Sequence, residues 1–458
     1  MQLPKNWRIK KLSEIGIIFN GNSINEQVKK EKYLGLKEGF SFVATKDVDF
    51  KTHTIDYDNG VKIPFSEKVF KVAHKNSVLI CSEGGNAGKK IAFNTEDICF
   101  GNKLLAIETG KDIEPKFVYY WYLTGDFFKN FKSQMNGIIG GISIKNFKNL
   151  EIPVPPLPTQ HLIVSEIEKQ FSRLDDGLSS LLKIRQNLKS YRGSILKSAI
   201  EGRLTEEWRK EQKNIEPASI LLARILEERK RKFLSENPGK KYKEPEELEK
   251  NNIGFDVPYG WQWVNLGQIT WSVKDGPHYS PKYVDEGIPF ITGGNVRQTG
   301  VDFVNCKFIS QELHEELNRR CKSRKGDILY TKGGTTGIAR VNTYDLDFSV
   351  WVHVAVLKLI ESANPFYIQY ILNSSYCYSQ SQKFTHGVGN QDLGLTRMIK
   401  INFPLPPLTE QQKIVEEVEY RLSIVDELEQ TIEVGIKKAE NLKQAVLKKA
   451  FSGELINS

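Results

Sequence analysis

The segment Ser82 to Lys90, SEGGNAGKK, follows the apolar run Val78 to Cys81 and combines three glycines with two lysines, residue types that can wrap an anion. A nucleotide-phosphate loop needs Gly-x4-Gly-Lys-Ser/Thr, so that backbone N–H groups surround the phosphates and a hydroxyl reaches magnesium. Here Gly84 to Gly88 is one residue too short, and Lys90 stands where the hydroxyl belongs. The spacing therefore argues against a nucleotide site. A second copy, TKGGTTGIAR, lies further along the chain and sets Gly333, Gly334 and Gly337 on Gly84, Gly85 and Gly88. Glycine lets a backbone approach a surface closely. Asn86, Lys89 and Lys90 in the first loop, and Thr335, Thr336 and Arg340 in the second, are types suited to phosphates or base edges. Lys46, His278, Tyr279, Asn295, Arg297 and Gln391 join them as candidates. Arginine and asparagine can make paired hydrogen bonds to guanine and adenine, whereas lysine suits phosphate. The competing reading is a tight turn with solvated side chains, with His278 a hydrogen-bonded loop histidine and Tyr279 a core residue.

Other chemistry is poorly represented. The five cysteines (Cys81, Cys99, Cys306, Cys321, Cys377) lie far apart with no C-x-x-C pair, and no spacing groups the seven histidines into a site. A metal site or disulfide framework is not expected, and a reducing compartment fits. Neither a Gly-rich cofactor fingerprint nor a methyltransferase motif of the Asn/Asp-Pro-Pro-Tyr/Phe kind is present, so no catalytic residues are assigned. With 65 Lys+Arg against 56 Asp+Glu, the net charge of +9 favours a polyanionic partner. The amino-terminal MQLPKNWRIKKL lacks the apolar core of a signal peptide, and no run approaches a membrane span, so a cytoplasmic location is expected.

The chain is written twice. IPVPPLPTQHLIVSEIEKQFSRLDD (Ile152 to Asp176) aligns with FPLPPLTEQQKIVEEVEYRLSIVDE (Phe403 to Glu427), and Pro155 lies 251 residues before Pro406, as Gln160 does before Gln411. The same offset joins SILKSAIEGRL (Ser194 to Leu204) to AVLKKAFSGEL (Ala445 to Leu455). A stretch this long without an insertion implies a rigid element. Pro-Pro-Leu stops the preceding strand, Thr159 or Thr409 can cap a helix, and Gly202 and Gly453 sit where a C-terminal cap is expected. Ile167, Phe171, Leu174, Leu178, Leu181, Leu188 and Ile195 recur at spacings of three, four or their sums. Ile414, Val418, Leu422, Val425, Ile432 and Val446 do the same in the second copy, a coiled-coil signature in which each seam has the other as its obvious partner. Such a helix is about 64 Å long, too long for burial inside one small domain.

The repeat extends upstream: LPKNWRIKKLSEIG (Leu3 to Gly16) matches VPYGWQWVNLGQIT (Val257 to Thr270), and SFVATKDV (Ser41 to Val48) matches PFITGGNV (Pro289 to Val296). Here the offset drifts by several residues, as variable loops on a common scaffold would require. Short strands are expected at Val78 to Cys81, Ile91 to Phe93, Leu104 to Ile107, Asp327 to Tyr330 and Val352 to Leu359, with short helices at Lys116 to Leu123 and Phe366 to Leu372. The expected fold class is α+β: two mixed α/β domains and two long helices forming an antiparallel coiled coil, in a pseudo-twofold repeat. The domains run 1–152 and 257–403, the helices 153–204 and 404–458, and a charged, partly helical connector fills 205–256. The basic run Arg229 to Lys232 is expected to be a solvated helix face.

Two similar but non-identical units suit the reading of two different short sequences on one long polymer, and DNA offers equivalent groove faces every helical turn. The whole chain resembles the specificity subunit of type I restriction-modification systems. The resemblance is carried by IPVPPLPTQ and FPLPPLTEQQ, by SILKSAIEGRLTEEWR and AVLKKAFSGEL, and by DGPHYSPKYVDEGIPFITGGNVRQTG (Asp275 to Gly300). It implies two target-recognition domains that read an asymmetric, interrupted site in double-stranded DNA. It also implies helices that dock two modification subunits, which carry S-adenosylmethionine and methylate adenine, and two restriction subunits that use ATP and Mg. This prokaryotic chain would then supply sequence choice, with no cofactor and no catalysis of its own. The rivals are a single-chain DNA-modifying enzyme with a cryptic site and a coiled-coil scaffold that never reads DNA.

Overall fold

In the computed structural model, residues 3–136, 140–248, 253–387 and 391–456 are described. The chain forms two compact units, Met1–Lys183 with Ile432–Ser458, and Ile184–Thr431. In unit 1, strands Gly16–Asn20, Leu104–Thr109, Val78–Cys81 and Ile91–Phe93 lie side by side in that order, all antiparallel. A second sheet orders Lys62–Ile63, Phe40–Val43, Ile98–Phe100 and Val72–Ala73, with the middle pair parallel.

Unit 2 repeats the plan. Thr270–Asp275, Val354–Leu359, Ile328–Thr331 and Ala339–Val341 form the antiparallel sheet in the matching order. Lys307–Ile309, Ile288–Ile291 and Ser349–Val350 form the other, again with a parallel pair, Ile288–Ile291 beside Ser349–Val350. The sequence repeat is thus a repeat of topology. Each unit is closed at its base by a short ladder, Arg8–Lys11 with Glu151–Val154 and Gln262–Asn265 with Asn402–Leu405. The expected strands form within two residues of their expected ends, and the short helices occupy Pro115–Tyr122 and Pro365–Leu372, each with proline in its first turn.

The long helices span Leu157–Ile200 and Leu408–Ser452. Both start before Thr159 and Thr409, which therefore lie in the first turn and do not cap. The residues that matter there are the repeated glutamines, both fully buried. Gln160 accepts from the Glu114 N–H at 2.9 Å and donates to the Asp112 and Pro155 carbonyls. Gln411 accepts from the Asn364 N–H at 3.1 Å and donates to the Pro406 carbonyl at 2.9 Å. Each amide clamps the start of a long helix to the cap of the short helix beside it. At the far ends, Gly202 (φ +71°) and Gly453 (φ +81°) make the left-handed turn expected of them. A side chain there would collide with Pro258 and Pro4 respectively.

Within unit 1 the two helices run antiparallel. Lys443 pairs with Asp175 and lies 5.2 Å from the centre of the Phe171 ring, while Leu181 packs over Gly435. Ile167, Ile432 and Val446 are buried here, and Phe171, Leu174, Leu178 and Leu181 are half-buried. Phe451 closes this end against Phe117 and Trp121, with ring centres 4.9 and 5.0 Å apart. Within unit 2, Leu188, Ile195, Ile414, Val418 and Val425 are buried, Leu422 is half-buried, and Arg192 donates to both Asp426 and Glu429.

The connector carries helices Glu206–Glu211 and Ala218–Glu236. Its basic run is not simply solvated. Arg229 Nε donates to the Gly267 and Thr270 carbonyls at 3.0 and 2.9 Å, and Nη1 donates to the Tyr242 hydroxyl at 2.6 Å. A guanidinium can satisfy several acceptors at once, which makes this residue a brace rather than a free charge. Arg209, from the shorter helix, joins Thr205 and Trp261 in donating to Glu410, which is 1% exposed.

The seam makes opposite demands on two helical glycines. A Cβ at Gly435 would stand 3.2 Å from Leu181, whereas nothing lies within 4 Å of one at Gly177. Gly435→Leu should destabilise the chain by about 1–3 kcal/mol through overpacking, and Gly177→Ala should stabilise it by roughly 0.5–1 kcal/mol through helix propensity. Thermal denaturation of the two variants should move in opposite directions; a shared sign would refute this packing of the seam.

Candidate nucleic-acid interface

In unit 1 the strand Val78–Cys81 runs into the glycine loop. Gly84 (φ +80°) and Gly88 (φ +73°) adopt a backbone that favours glycine. They differ in surroundings. A Cβ at Gly88 would come within 2.7 Å of the buried Phe131 ring, while Gly84 and Gly85 have open space around them. Gly88 thus seats the loop on the domain, and the Gly84–Gly85 tip faces outward. Asn86 and Lys89 are exposed, with Lys89 Nζ donating to the Gly85 carbonyl at 3.2 Å. Lys90 is half-buried and donates to the Thr45 carbonyl at 2.7 Å, beside exposed Lys46. That neighbouring turn, Thr45–Asp47, is held by the Ala44 N–H donating to Asp47 at 2.8 Å.

Unit 2 builds the same junction from other side chains. Gly334 (φ +73°) is open, and Gly337 (φ +104°) packs so closely that a Cβ would lie 2.8 Å from Ser381 Oγ and from the Tyr378 ring. Thr335 is exposed and donates to the Gly293 carbonyl at 3.2 Å, again joining the loop to a turn, Gly293–Asn295. Asn295 takes the part that Asp47 plays in unit 1. Its oxygen accepts from the Thr292 N–H at 3.0 Å, its nitrogen donates to the Asp302 and Asn305 carbonyls, and it is 7% exposed.

Asn295 is therefore a brace, its amide spent within the turn it closes. Thr336 is likewise buried, and its carbonyl accepts from Gln382 at 3.1 Å. Arg340 is half-buried and donates to the Gln298 carbonyl at 3.2 Å, supporting the Val296–Val301 hairpin on which exposed Arg297 pairs with Asp302 at 2.9 Å. Tyr279 is 53% exposed and so is not core; its carbonyl accepts from Trp351 Nε1 at 3.2 Å. His278 is exposed and reaches Asp275 at 3.4 Å, and Gln391 is exposed beside Asp392.

The structure thus gathers Lys46, Asn86, Lys89 and Lys90 in unit 1. In unit 2, His278, Tyr279, Thr335 and Gln391 lie on the segments that meet at Lys332, with Arg297 on the adjoining hairpin and Arg340 on the strand Ala339–Val341 that supports it. Two charged residues at this second site carried no signal in the sequence. Lys332 sits between Asp275 and Asp392, and Arg320 reaches Asp275 at 2.8 Å from far along the chain.

Burial pushes the thiols of Cys99, Cys321 and Cys377 up to about 12, so they stay neutral and unreactive near pH 7. Among the described residues no group of three or more His, Cys, Asp or Glu is placed to hold a metal ion. No described helix is long and apolar enough to cross a membrane. An open cleft of about 480 Å³ in unit 1, lined by Tyr57, Phe93, Lys116, Tyr119, Tyr120 and Glu168, contains a Lys116–Glu168 ion pair at 2.5 Å. Burial raises the Tyr119 phenol to about 12, which leaves it protonated at neutral pH.

Comparison with known proteins follows the same duplication. The family model described as type I restriction modification DNA specificity domain matches twice, at residues 4–185 and 258–438. The EcoBI specificity subunit of Escherichia coli is 23% identical over 99% of this chain and 87% of its own length. The EcoKI specificity subunit of E. coli K12 is 22% identical over 99% and 90%. The MjaVIII specificity subunit of Methanocaldococcus jannaschii is 21% identical over 97% and 91%. Among solved structures, a chain from work on complex assembly and conformational transition of the type I R-M system superposes with a TM-score of 0.69 at 17% identity, covering 99% of this chain and all of that one. The HsdS subunit of Thermoanaerobacter tengcongensis gives 0.54 at 19% identity, covering 99% and 98%. These likenesses show a shared fold. With both copies of the specificity domain matched across most of its length, the chain belongs to the type I restriction-modification DNA specificity family.

Proposed function

We propose that this chain is the DNA-reading subunit of a type I restriction-modification complex, without catalytic activity of its own, and that it works in the cytoplasm. The observation that carries this reading is the paired junction: one glycine loop docked on one short turn, built twice on the same strand order, with different side chains exposed each time. Two equal scaffolds with unequal surfaces suit two different half-sites, so the site read is asymmetric and interrupted. A pair of identical readers would favour a palindrome. Lys46, Lys89 and Lys90 hold phosphate, while Asn86, Thr335, Arg297, Arg340, His278, Tyr279 and Gln391 supply groove contacts.

The long helices act as the ruler between half-sites and as the platform for two modification subunits, which in turn bring two restriction subunits. Their solvent faces carry large apolar side chains, among them Leu162, Tyr191, Tyr420 and Val434, all more than 40% exposed. Such residues suit a protein partner better than water. S-Adenosylmethionine belongs to the modification subunit, which must extrude its target adenine from the duplex to reach it, and ATP with Mg belongs to the restriction subunit.

The primary test is an adenine-methylation map of the host genome with and without this gene. Loss of methylation at one interrupted, asymmetric motif is expected; an unchanged map in a host whose modification subunit is active would refute the reading. Inserting seven residues into one long helix should change the spacer or abolish assembly, and an unaltered motif with intact assembly would remove the ruler. Lys89→Ala should weaken cognate and random duplexes alike and lower the salt slope by about 0.9. Titration of the assembled complex at several salt concentrations checks this, and a loss confined to cognate DNA would make Lys89 a base reader instead.

A further inference from the structure

The Lys332 side chain is 3% exposed and lies where three segments of unit 2 cross. Its main chain takes part in two of these crossings: its N–H donates to the His353 carbonyl at 2.9 Å, and its carbonyl accepts from the Leu393 N–H at 2.8 Å. Its ammonium lies 2.6 Å from Asp392 and 3.4 Å from Asp275. Asp275 is itself buried, and also holds Arg320 at 2.8 Å and His278 at 3.4 Å.

Unit 1 serves as an internal control. Ser82 stands in the same place: its N–H donates to the Lys103 carbonyl at 2.9 Å, and its carbonyl accepts from the Ile142 N–H at 2.9 Å. The Glu83 bridge to Gly141 matches the Gly333 bridge to Asp392, so a glycine stands where unit 2 has an aspartate. Ser82 Oγ simply donates to the Lys103 carbonyl at 3.0 Å. Among the described residues, the same backbone crossing is therefore made in unit 1 with Ser82 and Gly141 in place of Lys332 and Asp392.

Burying an ammonium carries a desolvation penalty that its partners must offset. A scaffold that closes equally well with serine and glycine does not require that cost, so the charges serve something other than the crossing. What they hold together is specific to unit 2. Asp275 begins the segment carrying His278 and Tyr279, Lys332 begins the loop carrying Thr335, and Asp392 follows Gln391.

We propose that Lys332 is a positioning residue for DNA reading by unit 2, its ammonium clasping Asp275 and Asp392 so that the three loops present their side chains in one fixed arrangement. This rests on the DNA-reading function proposed above. An ion pair fits the task because its energy depends on distance, and two carboxylates from different loops converging on one ammonium resist displacement of either. At the matching crossing in unit 1 the described residues make the Ser82 backbone and hydroxyl hydrogen bonds in place of the clasp.

The test uses the full-length chain in its methylating complex, with the methylated motif determined genome-wide for wild type, Lys332→Met, Lys332→Arg and Asp392→Asn. A control chain with residues 257–403 replaced by those of a relative reports whether unit 2 reads one half-site. Asp392 is one-third exposed, so Asp392→Asn removes a charge without opening a cavity and decides the question if Lys332→Met does not fold. The expected result is that the control changes one half of the motif and that Asp392→Asn relaxes that same half by about tenfold or more in base discrimination. The other half should stay intact, and Lys332→Arg should retain discrimination. The clasp is overturned if the control changes one half while Asp392→Asn keeps wild-type discrimination. It is equally overturned if Asp392→Asn loses methylation uniformly, in step with its melting temperature. A control that changes neither half refutes the DNA-reading assignment itself, and the clasp with it.

Discussion

Everything in this structure depends on covering two apolar seams. A helix of 44 or 45 residues with a heptad stripe cannot leave that stripe in water. Each fully buried Leu, Ile or Val contributes about 1.5–3 kcal/mol relative to exposure, and this sum is an upper bound because unfolded chains already bury some apolar surface. Surface ion pairs along the same helices, such as Asp175 with Lys443, contribute roughly 0–1 kcal/mol each. The seam therefore sets the pairing, and the charges at most trim its register. The consequence is visible in how the chain is partitioned: unit 1 combines the first 183 residues with the last 27, from Ile432 to Ser458. Its core includes Phe117 and Phe451, which meet only after nearly the whole chain has been made.

Fixing the helices to their domains falls to a few buried polar groups. Gln160 and Gln411 are amides with no exposure, satisfied by backbone groups from two segments at once. Leaving such a group unpaired costs about 1–3 kcal/mol, so the clamps define position as well as stability. The knot at Glu410 is different in kind, with Arg209, Thr205 and Trp261 converging on a carboxylate that is 1% exposed. The corresponding position in unit 1 is Thr159, and Arg209 comes from the helix that follows the first copy of the repeat.

The glycine loops divide their labour in the same way in both units. Gly88 and Gly337 are required because a side chain would strike Phe131 or Tyr378, and they anchor the loop. Gly84 and Gly334 hold a left-handed backbone with open space around them, shaping a tip that faces outward. Between anchor and tip, the exposed positions Asn86 and Thr335 can vary without disturbing the domain. That separation of scaffold from surface is what a pair of readers for unlike sequences requires, and it supports the function proposed for the chain.

The duplication, the class of each half, both long helices with their seam, and the glycine loop as the repeated feature were legible in the order of residues alone. All of these rest on short-range periodicity or on comparison of one half with the other, which need no knowledge of which segments touch. The order of residues also identified the family, through the Pro-Pro-Leu and Leu-Lys-x-Ala runs heading and closing the helices. Which polar residues stand exposed depends on long-range packing. Asn295 and Arg297 are two residues apart, yet the first is buried in a turn it stabilises and the second is exposed. Arg229 looked solvated and proved to be a brace, because the carbonyls it reaches lie about 40 residues along the chain. The pairing of Asp275 with Arg320 and Lys332 was likewise invisible. Hydrogen bonds and ion pairs of this kind are set by which loops the sheets bring together, a long-range property that residue type and local spacing do not encode.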